Sequence, residues 1–234
     1  MKPATGRWHP WGTMGFLRTS LGLAVALVAA SSARAETTFT VDPDAGNNTL
    51  SAVFEAAIGE RITAVSSSLG CTLSVDEPKR EGKATCSVPL SAVRVDNDDT
   101  KSDHFRQWAT NKKTDPAKCL FELEISHLNL AAVVEPMKPV PFETEGTFKL
   151  CGRRRDDDGA EKIRGTLIYL PAGSYKDTRT LRVRARIEGF DRERYQVGPR
   201  WTEGWLARVQ ELAPVVATDG TIEVNLFATE PTAR

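Results

Sequence analysis

Apolar and polar residues alternate along most of the chain beyond residue 36. Leu181, Val183, Ala185 and Ile187 interleave with Arg182, Arg184, Arg186 and Glu188, a period of two that gathers the apolar side chains on one face. Ile222, Val224 and Leu226 interleave with Glu223 and Asn225 in the same way. Phe121, Leu123 and Ile125 share a face with Cys119, opposite Glu122, Glu124 and Ser126. Antiparallel sheets with one wet face produce this pattern. It predicts strands over 37–42, 50–56, 61–69, 71–75, 84–95, 119–133, 140–151, 163–170, 181–189 and 221–229. Turn chemistry separates them: Asp42-Pro43-Asp44-Ala45-Gly46, Gly59, the run DEPKREG at 76–82 and the Pro-rich 135–141.

Two segments break the alternation. Residues 98–112 open with acidic residues suited to a helix N-terminus, and Phe105 and Trp108 fall three apart on one face. Residues 201–214 place Trp205, Val209 and Leu212 at near-helical spacing. No repeat is present, and no linker is long enough to separate domains. The expected fold is therefore all-β, a single antiparallel barrel with one or two short helices. Closure is favoured over a sandwich because it removes exposed edges from strands joined by short turns.

The first 35 residues read differently. The apolar run LGLAVALVAA at 21–30 follows Arg18 and precedes Ala33-Arg34-Ala35, a small-x-small cleavage pattern. This is the layout of a secretory signal peptide, too short and wrongly flanked for a bilayer span. The expected division is a signal over 1–35 and a barrel domain over 36–234, with Met14 as an alternative start to Met1. No cysteine lies near the cleavage site, so a lipid-anchored start is not expected. Lys2, Arg7, Arg18 and Arg34 are four of the 31 basic residues, and the signal holds none of the 31 acidic ones. The remainder is mildly acidic, which argues against nucleic acid as a partner. After Ala30 no apolar stretch is long enough to cross a membrane, so a soluble periplasmic or secreted protein of a bacterium is expected.

Export places Cys71, Cys86, Cys119 and Cys151 where they can oxidise. Four cysteines allow three pairings. Cys71 and Cys86 flank the turn at 76–82, and Cys119 and Cys151 straddle 135–141, as cross-strand partners in two hairpins would. The expected bridges are Cys71–Cys86 and Cys119–Cys151, worth roughly 3 and 4 kcal/mol by loop entropy.

Several segments resemble a known family in order and spacing. Ser102-Asp103-His104-Phe105-Arg106, followed by Lys113-Thr114-Asp115-Pro116-Ala117-Lys118-Cys119-Leu120-Phe121, resembles the signature of the YceI-like polyisoprenoid-binding proteins. Phe39-Thr40-Val41-Asp42 is similar to that family's opening strand, Glu145–Gly152 to its glycine-led strand, Gly189–Val197 to its late strand and turn, and 221–229 to its closing strand. The chain departs from the pattern at Ala57, at Trp108-Ala109-Thr110, at Asp115 and over 153–162, and it adds the cysteine pairs. The resemblance implies a divergent member: a lipocalin-like barrel, exported, whose cavity takes an isoprenoid chain such as a quinone or polyprenyl tail.

Ligand contact is expected from the inward strand positions Val53, Phe121, Leu123, Ile125, Phe148, Leu150, Leu167, Tyr169, Val183 and Ile187, with His104 at the barrel mouth as a donor to a head group. The phase is open, because a one-residue slip exchanges the faces. His127 is either a cavity residue or the wet end of its strand. Arg182, Arg184 and Arg186 are expected on a solvated face. The run RRRDDD at 153–158 reads as an exposed, self-neutralising loop, and Asn47-Asn48-Thr49 fits a glycosylation sequon. No catalytic motif, cofactor-binding loop or zinc-type cysteine spacing is present, so neither an enzyme nor a metal or cofactor site is expected. Two functions fit: an exported carrier of an apolar isoprenoid-like lipid, or a disulfide-stapled interaction module with a filled interior. A homodimer is compatible with both.

Overall fold

The computed structural model describes residues 36–41, 47–56, 59–77, 79–111, 114–198 and 216–231. The segment 1–35 expected as a signal, Ala57 and the helix expected over 201–214 lie outside them. The described strands are β1 (Thr37–Val41), β2 (Thr49–Ala56), β3 (Arg61–Ser66), β4 (Gly70–Asp76), β5 (Glu81–Pro89), β6 (Arg94–Val95), β7 (Leu120–Leu130), β8 (Pro139–Leu150), β9 (Glu161–Leu170), β10 (Thr180–Asp191) and β11 (Val216–Thr229). One helix, α1 (Asp99–Thr110), follows β6.

All the strand pairings are antiparallel, and the order β1-β4-β5-β7-β8-β9-β10-β11 closes because β1 pairs with β11 as well as β4. Eight strands thus form a closed barrel. The long β11 serves two partners along one edge: β2 runs beside Val216–Asn225, and β1 meets Ala228 and Thr229. Fully buried Asn48 fills the break between them, its Oδ1 accepting from the Phe227 N–H at 2.8 Å. From β2 the sheet branches away through β3 to β6, so one end of the barrel carries a splayed flap.

The alternation is realised in the burial pattern. Leu181, Val183 and Ile187 face the core while Arg184 and Arg186 are exposed. Arg186 pairs with Glu188 and with its cross-strand neighbour Glu223, and Arg182 lies over the Phe227 ring. Bulges in β10 and β7 reset the phase there. At Gly189, whose φ of 66° suits a residue without Cβ, the register shifts and Phe190 turns inward. Between Glu124 and Asn129 a second shift brings Leu128 and Leu130 inward and leaves His127 exposed, which resolves its two readings in favour of solvent.

Three expectations need correction. The strand expected over 84–95 stops at Pro89, which has no N–H for the ladder; a 3-10 turn at Leu90–Ala92 follows, then the short β6. Val53 does not point inward. Leu50, Ala52, Phe54 and Ala56 line the interior, so Val53 projects from the opposite face, beside its cross-strand partners Thr63 and Thr221. The apolar partners Ile62, Ala64, Ile222 and Val224 all lie opposite the even-numbered set, and this decides the phase. Finally, the run at 153–158 is anchored rather than merely solvated, as described below.

Both expected disulfides are present. Cys71 and Cys86 are directly opposed in the β4–β5 hairpin with Cα atoms 4.1 Å apart. Cys119 and Cys151 close the β7–β8 hairpin, 4.5 Å apart. Helix α1 is capped as its sequence suggested: the Asp98 carboxylate accepts from Lys101 N at 2.9 Å, and Asn111 ends the helix in the left-handed region. Ser102 ties it to the flap, its Oγ accepting from Val95 N at 2.9 Å and donating to Asp98 O at 2.6 Å.

Candidate ligand cavity at the barrel mouth

An apolar cavity of about 360 Å³ opens where the flap, α1 and one end of the barrel meet. The even-numbered face of β2 and the β3 residues Ile62 and Ala64 form one wall. Phe105 and Trp108 of α1 form the cover, three residues apart and therefore on one helix face. The floor is built by Phe121, Phe148, Leu150, Phe190 and Ile222 from the barrel strands. A second, much smaller cavity of about 70 Å³ lies deeper in the barrel.

Aromatic contacts organise the floor. Phe148 meets Phe190 and Tyr195 edge-on, with ring centroids 5.1 and 5.2 Å away, and Phe121 bridges Phe148 and Phe105 at 6.1 Å each. Such offset and edge-on pairs add to area burial. Tyr195 is fully buried and donates its phenol to Glu161 Oε1 at 2.7 Å. Burial first, then that hydrogen bond and the negative charge of Glu161, push the phenol far above its ordinary value. Arg155 holds Glu161 at 3.1 Å and Asp157 at 2.9 Å, and Arg194 also contacts Asp157. The Asp157 carboxyl is held well below the usual range, chiefly by Arg155. Arg153 donates to Tyr195 O at 3.1 Å and to Ala109 O in the last turn of α1. The charged run thus clamps the β8–β9 loop to the floor and to the helix that covers the cavity.

Polar lining is confined to a few groups. Lys101 reaches Asp96 at 2.8 Å and Glu60 at 2.7 Å, and these two hydrogen bonds raise its ammonium pKa well above normal. Burial pushes the Asp96 carboxyl up, but hydrogen bonds from Lys101 and Thr63 N outweigh it and hold the group low. Arg192 donates to Val197 O, Val216 O and Ala217 O at 2.6–3.1 Å, joining the turn after β10 to the start of β11. His104 lines the cavity from an exposed helix position.

Of the residues expected to contact ligand, His104, Phe121, Phe148 and Leu150 line the larger cavity. Leu123, Ile125, Leu167, Val183 and Ile187 surround the smaller one, which Phe121 and Phe148 also touch. Tyr169 packs against the core and is not among the described lining of either. Val53 is on the outer face. The sequence reading missed Leu50, Ala52, Phe54, Ile62, Trp108 and Ile222. Their signal was present in the even-numbered apolar positions of β2 and in the shared helix face of Phe105 and Trp108. Among the described residues no group of three or more His, Cys, Asp or Glu side chains could hold a metal ion, and no helix is long and apolar enough to cross a membrane.

No protein-family model and no curated protein sequence matches the chain. Solved structures do. A polyisoprenoid-binding domain from Saccharophagus degradans, implicated in plant cell wall breakdown, superimposes with a TM-score of 0.56. The match covers 84% of this chain and 100% of that one at 14% identity. The chain shares the fold of a polyisoprenoid-binding domain. This is the barrel that the resemblance to the YceI-like proteins implied, although at this identity the likeness extends to the fold alone.

Proposed function

We propose that this protein is a divergent, exported member of the polyisoprenoid-binding proteins, and that it holds an apolar isoprenoid-like lipid in the cavity beneath α1. The observation that carries this reading is a preformed cavity of about 360 Å³ walled almost entirely by carbon. That volume falls within the ~300–1,000 Å³ typical of small-molecule sites. A prenyl tail has no polar handle, so it is retained by burial at about 25 cal/mol per Å² of apolar surface. The cavity supplies that burial, which supports a binding role. The signal at 1–35 and two disulfides support residence in the periplasm or outside the cell.

Charge at the rim supports a neutral head group. Lys101 is already matched by two carboxylates, so a pyrophosphate beside Glu60 and Asp96 would meet net negative charge there, and Arg192, the other cation lining the cavity, is committed to three backbone carbonyls. A hydroxyl or a quinone carbonyl suits this rim, and exposed His104 is placed to hydrogen-bond it. The alternative, an interaction module with a filled interior, is favoured by the deep half of the barrel, where the cavity described measures only about 70 Å³. Solvent extraction of protein purified from its own host, followed by lipid mass spectrometry, separates the two. A stoichiometric isoprenoid supports carriage; a lipid-free extract supports the module.

A further inference from the structure

The two cavities touch the same four side chains, Leu50, Phe121, Phe148 and Ile222, which therefore stand between them. We infer that this four-residue partition limits the buried part of the bound chain to about three isoprene units, so that units beyond the third add little affinity. The inference rests on the lipid-binding reading above and adds a length limit to it.

The partition is firmly held. Phe148 stands edge-on against the stacked pair Phe190 and Tyr195, and Tyr195 is fixed in turn by Glu161, which Arg155 holds. Phe121 stacks on Phe148 and reaches Phe105 of the helix above. Below the partition the barrel is filled through two glycine positions. A Cβ at Gly165 would lie 2.5 Å from the Phe142 ring, and one at Gly146 would lie 2.8 Å from Ile163 and 2.9 Å from Leu123. These neighbours occupy the space the missing side chains leave, so little room remains for a chain passing deeper.

Volume sets the length. An apolar cavity of roughly 150 Å³ binds benzene, with its six carbons. On that scale the 360 Å³ mouth cavity takes roughly 14 carbon atoms, close to three isoprene units, and the 70 Å³ inner cavity adds less than one unit.

Native mass spectrometry of the full mature protein with an equimolar mixture of prenols of two, three, four, six and eight units tests this. Each buried unit strengthens binding by about tenfold or more. The expected wild-type profile rises steeply from two units to three and then flattens, with the eight-unit prenol gaining less than about threefold. Phe121→Ala is expected to move the flat region to four units or longer, and Phe148→Leu to do the same more weakly in a chain whose circular dichroism matches wild type. A wild-type preference that keeps climbing to eight units overturns the limit while leaving lipid binding intact. So does an unchanged profile in both variants. Absence of any prenol adduct overturns the lipid reading itself, and the length limit with it.

Discussion

Tyr195 stands edge-on to Phe148 at 5.2 Å and donates a hydrogen bond from its phenol to Glu161, so one residue joins the aromatic floor of the cavity to the charged clamp behind it. Tyr195→Phe keeps the ring and removes the hydrogen bond. It should cost about 1–3 kcal/mol of stability, because Glu161 loses a donor in a buried site. Urea denaturation midpoints measure this.

The same group gives a pH signature. The folded-state pKa of Tyr195 is raised above its ordinary value of 10.0 by burial and by Glu161. Above about pH 10 the unfolded chain releases the phenolic proton while the folded protein keeps it. The contribution is complete below that pH and declines as pH rises, by up to about 1.4 kcal/mol per pH unit. Melting temperatures followed from pH 8 to 11 should fall more steeply for wild type than for Tyr195→Phe. Parallel curves would show that the phenol is not held protonated.

Arg153 fastens the end of α1 through Ala109 O. Arg153→Ala should cost about 1.5–3 kcal/mol, the range for hydrogen bonds from charged donors. Hydrogen exchange should speed up most at Trp108, Ala109 and Thr110, more than in β9 or β10. Uniform acceleration would mean that the residue acts on global stability and not on the helix.

The Cys119–Cys151 bridge closes a loop of 32 residues beside the cavity floor. Replacing both cysteines by serine should lower stability by up to about 4 kcal/mol in the loop-entropy model, and replacing Cys71 and Cys86, 15 residues apart, by about 3. Non-reducing peptide mapping and denaturation of the two double variants check the pairing and the order of the effects.

Long alternating runs made the barrel legible in the sequence. The strand of Leu181–Ile187 has one apolar face and one charged face over seven residues, and no other register satisfies it. Where the pattern is short or equivocal, tertiary partners decide. In β2 both Val53 and Phe54 are apolar, and the choice falls to the polar Thr63 and Thr221 beside one and the apolar Ile62 beside the other. His127 follows an inward-facing run, but the bulge before Asn129 turns it outward, and no local composition announces that shift. The acidic and basic residues of 153–158 cancel on paper. Their actual partners, Ala109 O, Tyr195 O and Glu161, include contacts more than 40 residues away in sequence. The cavity is harder to read than the barrel for a related reason: a wall residue and a core residue have the same side chains and the same period.

The phase of β2 can be tested directly. Ala52→Glu buries a charge in the cavity wall and should cost several kcal/mol or expel bound lipid, whereas Val53→Glu should cost less than about 1 kcal/mol. Thermal melts of the two variants with circular dichroism make the comparison, and the opposite order would restore the inward Val53.

The most direct test of the lipid reading is a crystal structure of the mature protein with a bromine-tagged three-unit prenol. Anomalous scattering from the bromine should place the chain between Phe54 of β2 and the Phe105–Trp108 face of α1. A bromine signal confined to the outer surface, or none at full soaking, would contradict it.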